Sequence, residues 1–109
     1  MLVEVCANSL QSALNAQEAG ADRIELCSEL AVGGVTPSYG LLRAVREKIE
    51  IPVNVLIRPR SGDFTFSSDE FDIMKTNIAL CRELGFNGIV SGALHPDCSL
   101  DVGRTSELI

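Results

Sequence analysis

The chain has 109 residues, 46% of them hydrophobic and 22% charged, which is the composition of one globular domain. Its net charge of −6 excludes a broad nucleic-acid or anionic-membrane surface, while leaving room for a small basic pocket. No apolar run approaches the roughly 20 residues needed to cross a bilayer, and no basic region precedes Glu4, so neither a membrane span nor a signal sequence is expected. The expectation is a cytoplasmic protein whose four cysteines are free thiols.

In chain order, residues 2–8 read as a strand carrying β-branched Val3 and Val5. Ser9 caps a helix with Leu10, Ala13 and Leu14 on one side, and Gly20 ends it. Residues 23–27 read as a second strand, followed by a polar, glycine-containing loop over 28–38. Pro37 and Ser38 open a helix with Leu41, Leu42, Val45 and Ile49 at helical spacing. After Pro52, residues 53–57 form an apolar third strand and 58–65 a loop. Ser67 and Glu70 have the spacing of a capping box, before a helix that runs to about Leu84 and stops at Gly85. Residues 88–90 give a short fourth strand, 92–100 a loop, and Asp101 the cap of a fourth helix.

Strict alternation of strand and helix predicts parallel strands joined by right-handed crossovers. Period-two alternation places Glu4, Cys6 and Asn8 on one face of the first strand, and Glu25 and Cys27 on one face of the second. Val3, Val5, Ile24 and Leu26 take the other face, under the helices. An open parallel sheet is apolar on both faces. A face with two glutamates fits better inside a closed (β/α)8 TIM barrel, near its solvent-accessible mouth. The run Val3-Glu4-Val5-Cys6 is echoed by Ile24-Glu25-Leu26-Cys27, as repeated βα units would produce. The expectation is that residues 1–109 are the N-terminal half of a single TIM-barrel domain, since a barrel takes about 250 residues. Either a missing C-terminal half or a second copy, as a homo-oligomer, would then cover the open edges.

Three stretches carry a resemblance: Val3-Glu4-Val5-Cys6-Ala7-Asn8; Glu25-Leu26-Cys27-Ser28-Glu29-Leu30 with Gly33-Gly34-Val35-Thr36-Pro37-Ser38; and Ile57-Arg58-Pro59-Arg60-Ser61-Gly62-Asp63-Phe64. Together, and in this order, they resemble the copper homeostasis protein CutC family over essentially the whole chain. The resemblance implies a cytosolic TIM barrel of about twice this length. It also implies a connection to copper, with Cys6 and Cys27 as Cu(I) ligands. The stretch Leu94-His95-Pro96-Asp97-Cys98 departs from the Thr-x-Asp-Gly-like turn usual there and adds two possible ligands.

The residues leave several readings open. Cys6 and Cys27 sit at the C-terminal ends of adjacent strands, where two soft thiolates can converge on Cu(I), or they are small buried apolar residues. Glu4 and Glu25, placed below the cysteines, are candidates for acid/base catalysis. Arg58 and Arg60, at the mouth, are candidates for binding a small anionic or phosphorylated metabolite. Alternatively, Arg58 neutralises a buried Glu4 or Glu25. Gly33 and Gly34 read as a turn, because no glycine-rich phosphate fingerprint accompanies them. Cys81 shares a helical stripe with Phe71, Met74 and Ile78 and reads as core. His95 and Cys98 fall short of the four ligands of a zinc site.

Overall fold

The computed structural model describes residues 1–109. Four strands, β1 (Glu4–Ala7), β2 (Arg23–Leu26), β3 (Val53–Leu56) and β4 (Gly88–Val90), alternate with helices α1 (Leu10–Glu18), α2 (Tyr39–Lys48), α3 (Ser68–Leu84) and α4 (Val102–Leu108). All strand pairs are parallel and the sheet order is β1-β2-β3-β4. Each strand therefore pairs with the next in sequence through a helical crossover, which is the winding of a βα barrel and not of a doubly wound sheet.

The helix ends follow local chemistry. The Ser9 side chain accepts from the Ser12 amide, and the Ser12 hydroxyl returns a bond from the Ser9 amide. Ser67 and Glu70 form the expected capping box. Gly85 ends α3 with φ +81°, a conformation that costs glycine nothing. The Asp101 side chain accepts from the Arg104 amide and starts α4.

One face of the sheet is sealed and the other is open. Ala7, Ile24, Leu26, Val53 and Val55 are buried against Ala13, Ala16, Leu42, Val45 and Met74 of the helices. On the opposite face Glu4 and Cys6 are exposed, and Glu25, Asn54 and Leu56 are half-buried. Polar residues thus line the concave face, as the alternation predicts. The first strand is shorter than expected: Val3 lies before β1 and is 48% exposed, so it is not covered by a helix. Its amide bonds the Asp22 carboxylate rather than a strand neighbour. Cys27 and Ile57 likewise fall one residue beyond their strands, although both are buried. Cys81 packs in the core of α3.

Candidate functional site

The concave face is organised in layers by the parallel register. Glu4 faces Arg23, Cys6 faces Glu25, Glu25 faces Asn54, and Asn54 faces Gly88. Gly88 leaves room for the Asn54 side chain: a Cβ at that position would lie 2.6 Å from Asn54 Oδ1, so a larger residue would make the amide turn away.

Glu4 forms an ion pair with Arg23, its register partner. Arg58, the alternative partner considered from the sequence, bonds neither Glu4 nor Glu25. Glu25 lies level with Cys6 and not below it. Burial, and then the negative charge and hydrogen bond of Glu4, raise its pKa above the ordinary carboxylate value.

The two cysteines meet. Cys6 Sγ and Cys27 Sγ are 3.5 Å apart, although Cys27 is two residues beyond the register partner of Cys6. Cys6 is exposed and Cys27 is 1% exposed. The β2–α2 loop seals Cys27. It turns through a single 3-10 turn at Leu30–Val32, and Gly33 and Gly34 follow with φ +87° and +92°. A Cβ on Gly34 would touch Cys27 Cβ at an ordinary 3.5 Å but come within 2.8 Å of a Leu56 methyl, so a side chain there would displace Leu56 as well as strain a backbone with φ +92°. Burial, then the neighbouring Cys6 and Glu25, push the Cys27 thiol up to about 12. No cluster of three or more His, Cys, Asp or Glu side chains is close enough to hold a metal.

Arg58 and Arg60 are committed to the loops around this pair. Arg58 is 7% exposed, and its guanidinium donates to the carbonyls of Val32, Gly34 and Gly62 at 2.7–2.9 Å. It also lies over the Phe64 ring. It therefore fastens the β2–α2 loop to the β3–α3 loop, and only its Nε has no partner. Arg60 pairs with Glu70 and Asp63 and donates to the Asp63 and Thr65 carbonyls. The sequence placed both arginines at the mouth but not this bracing, because the partners are mostly backbone carbonyls: Val32 and Gly34 of the β2–α2 loop for Arg58, and carbonyls of the arginines' own loop for the rest.

His95 and Cys98 stay apart from the cysteine pair. His95 approaches Asp101 at 3.7 Å, and the Cys98 amide donates to the His95 carbonyl within a turn in which Cys98 has φ +67°. A cavity of about 340 Å³ lies at the β4 edge between α3 and α4, lined by Ile78, Phe86, Ile89 and Leu108 among others. None of the residues of the concave layer other than Gly88 borders it. No helix is long and apolar enough to cross a membrane.

Comparison with known proteins agrees with this architecture. The model of the CutC family matches residues 1–109. A CutC family protein of Salmonella paratyphi A is 51% identical over 108 residues, covering 99% of this chain and 44% of its own length. A CutC family protein of Chromobacterium violaceum is 49% identical over 107 residues. A solved structure of a copper homeostasis protein CutC from Streptococcus agalactiae superposes with a TM-score of 0.93 at 36% identity, over all of this chain and 53% of the other. The chain thus spans about half the length of the relatives it matches, and its four βα units have the TIM-barrel winding. With the family model matched from end to end, the chain belongs to the CutC family.

Proposed function

We propose that this chain contributes the metal-binding part of a cytosolic copper homeostasis protein, with Cys6 and Cys27 as the ligands of Cu(I). The observation that carries the reading is the 3.5 Å approach of the two sulfurs at the C-terminal end of the sheet. Two soft donors with no third ligand nearby suit a soft ion of low coordination number, whereas structural zinc requires four ligands. The name carried by the Streptococcus agalactiae structure points the same way.

The rival reading is a barrel enzyme that acts on a small anionic metabolite, with Glu4 or Glu25 as acid/base and Arg58 and Arg60 as anion binders. It draws less support. Glu4 is already paired with Arg23, and both arginines spend their donors on loop carbonyls and on carboxylates. Only the unpartnered Arg58 Nε favours it.

An anaerobic titration of Cu(I) against a chelator of known affinity tests the proposal, on the parent, Cys6→Ser and Cys27→Ser chains. The parent should take up one copper per sulfur pair and both variants should lose it. Equal uptake by parent and variants, or none by a folded parent, rejects the assignment.

A further inference from the structure

Cys6 lies opposite Glu25 in the β1–β2 ladder, and Cys27 is two residues further along. The Cys27 amide donates to the Ala7 carbonyl at 3.0 Å, which continues the ladder past Leu26 and fixes this stagger. Adjacent strands are about 4.8 Å apart and two residues rise about 6.6 Å, so the Cα atoms of such a diagonal pair stand about 8 Å apart. A disulfide needs Cα atoms within about 7 Å and sulfurs about 2.05 Å apart. The side chains lean together and bring the sulfurs to 3.5 Å. The last ~1.5 Å must come from the backbone. That backbone is held by the parallel ladder on one side and by the Arg58-fastened loop on the other.

We propose that the two-residue stagger makes Cys6 and Cys27 a pair that can share a metal ion but cannot close into a disulfide. Metal–sulfur bonds of about 2.3 Å reach two sulfurs up to about 4.6 Å apart, so the pair shares an ion by keeping or widening its separation. A disulfide requires them to move far closer. The consequence is redox resistance. A thiol pair that closes loses both donors in one step, whereas here the exposed Cys6 alone is open to oxidation. Its sulfur takes one oxygen from hydrogen peroxide to give the sulfenic acid, with water leaving. The inference takes its significance from the reading of the pair as ligands, but its test contains no copper, so the two can fail separately.

The test uses diamide, an azo oxidant that takes two electrons and two protons from a thiol pair and becomes a hydrazine. The chain carries Cys98→Ser to remove the other exposed thiol. Trypsin cuts after Arg23 and Arg43, so Cys6 and Cys27 fall in different peptides and a crosslink is read directly by mass. The control carries Cys27→Ala and Glu25→Cys, which sets a thiol directly opposite Cys6. The control should crosslink at least ~10-fold faster than the native pair, in line with the strain of a misplaced disulfide. Equal rates, or a native pair that crosslinks faster than the control, overturn the proposal. A second measurement does not depend on the control folding. The native chain, crosslinked between Cys6 and Cys27 while unfolded in guanidinium and then returned to buffer, should melt below the reduced chain. A higher melting temperature would mean that the fold accepts the disulfide, and would equally overturn the proposal.

Discussion

Cys6 Sγ lies 3.5 Å from Cys27 Sγ, one open to solvent and the other sealed beneath Gly34. The sulfurs are neighbours, yet their environments differ as much as those of a surface and a core residue. An ion entering this site would meet Cys6 first.

Thiol labelling reads this asymmetry. Cys6 and Cys98 are exposed, while Cys27 and Cys81 are buried and their thiols are pushed up by burial. Timed alkylation of the native chain at neutral pH should modify Cys6 and Cys98 at least ~10-fold faster than Cys27 and Cys81. Labelling of Cys27 in step with Cys6 would show that the loop does not seal it.

Glu25 is held at a cost to stability. Its carboxyl is raised by burial and by Glu4, so the folded state disfavours the charge it carries at neutral pH. Glu25→Gln keeps the shape and removes the charge. The variant should melt a few degrees above the parent at pH 7. An unchanged or lower melting temperature would mean that Glu25 makes a compensating contact.

Glu70 works in the opposite direction. Its carboxyl is held below the ordinary 4.5, first by the Ser67 backbone N–H and then by Arg60. A depressed folded-state pKa adds stability above the unfolded value and loses it as pH falls through the folded value. Glu70→Gln should therefore lower the melting temperature at pH 7. The difference from the parent should shrink below pH 4.5 and vanish once both chains carry a neutral side chain. A gap that persists at low pH would assign the effect to packing instead of charge.

The fold was largely legible in the residues, and the site only in part. Ser67, Glu70, Gly85 and Asp101 announce their helix ends through local hydrogen bonds, which spacing alone reveals. The polar face of β1 and β2 follows from period two. Sequence alternation cannot show what lies across a strand or beneath a loop. The meeting of Cys6 with Cys27 depends on the lean of two side chains across a stagger. The Glu4–Arg23 pair depends on register. Val3 has a strand former's side chain and its carbonyl still meets the Arg23 amide, but the Asp22 carboxylate takes its amide and β1 begins one residue later.

Gly34 should be intolerant of any side chain. Its φ of +92° is strained for other residues, and a Cβ would push aside the Leu56 methyl that lies beside Cys27. Gly34→Ala should destabilise the chain by about 1–2 kcal/mol or more. It should also accelerate alkylation of Cys27, because the φ strain and the displaced Leu56 methyl both loosen the cover over its sulfur. Denaturant unfolding and timed labelling measure the two effects, and stability equal to the parent's would contradict the close fit.

Arg58 gives the sharpest test of how the site is built. Its three loop carbonyls, Val32, Gly34 and Gly62, have their bonds from one buried guanidinium. Arg58→Met keeps the length and removes every donor. The carbonyls of both loops then lose their charged partner, at a cost of about 3 kcal/mol or more. Arg58→Lys retains the charge, but an ammonium cannot reproduce the planar fork that reaches two loops at once, so it should recover only part of the loss. If the loops brace the site, Cys27 should become easier to alkylate in the order parent, Arg58→Lys, Arg58→Met, following the same order as the loss of stability. If Arg58 serves to hold an anion, as the rival reading requires, Arg58→Lys should leave Cys27 protected. Inorganic phosphate should then raise the parent's melting temperature and not that of Arg58→Met.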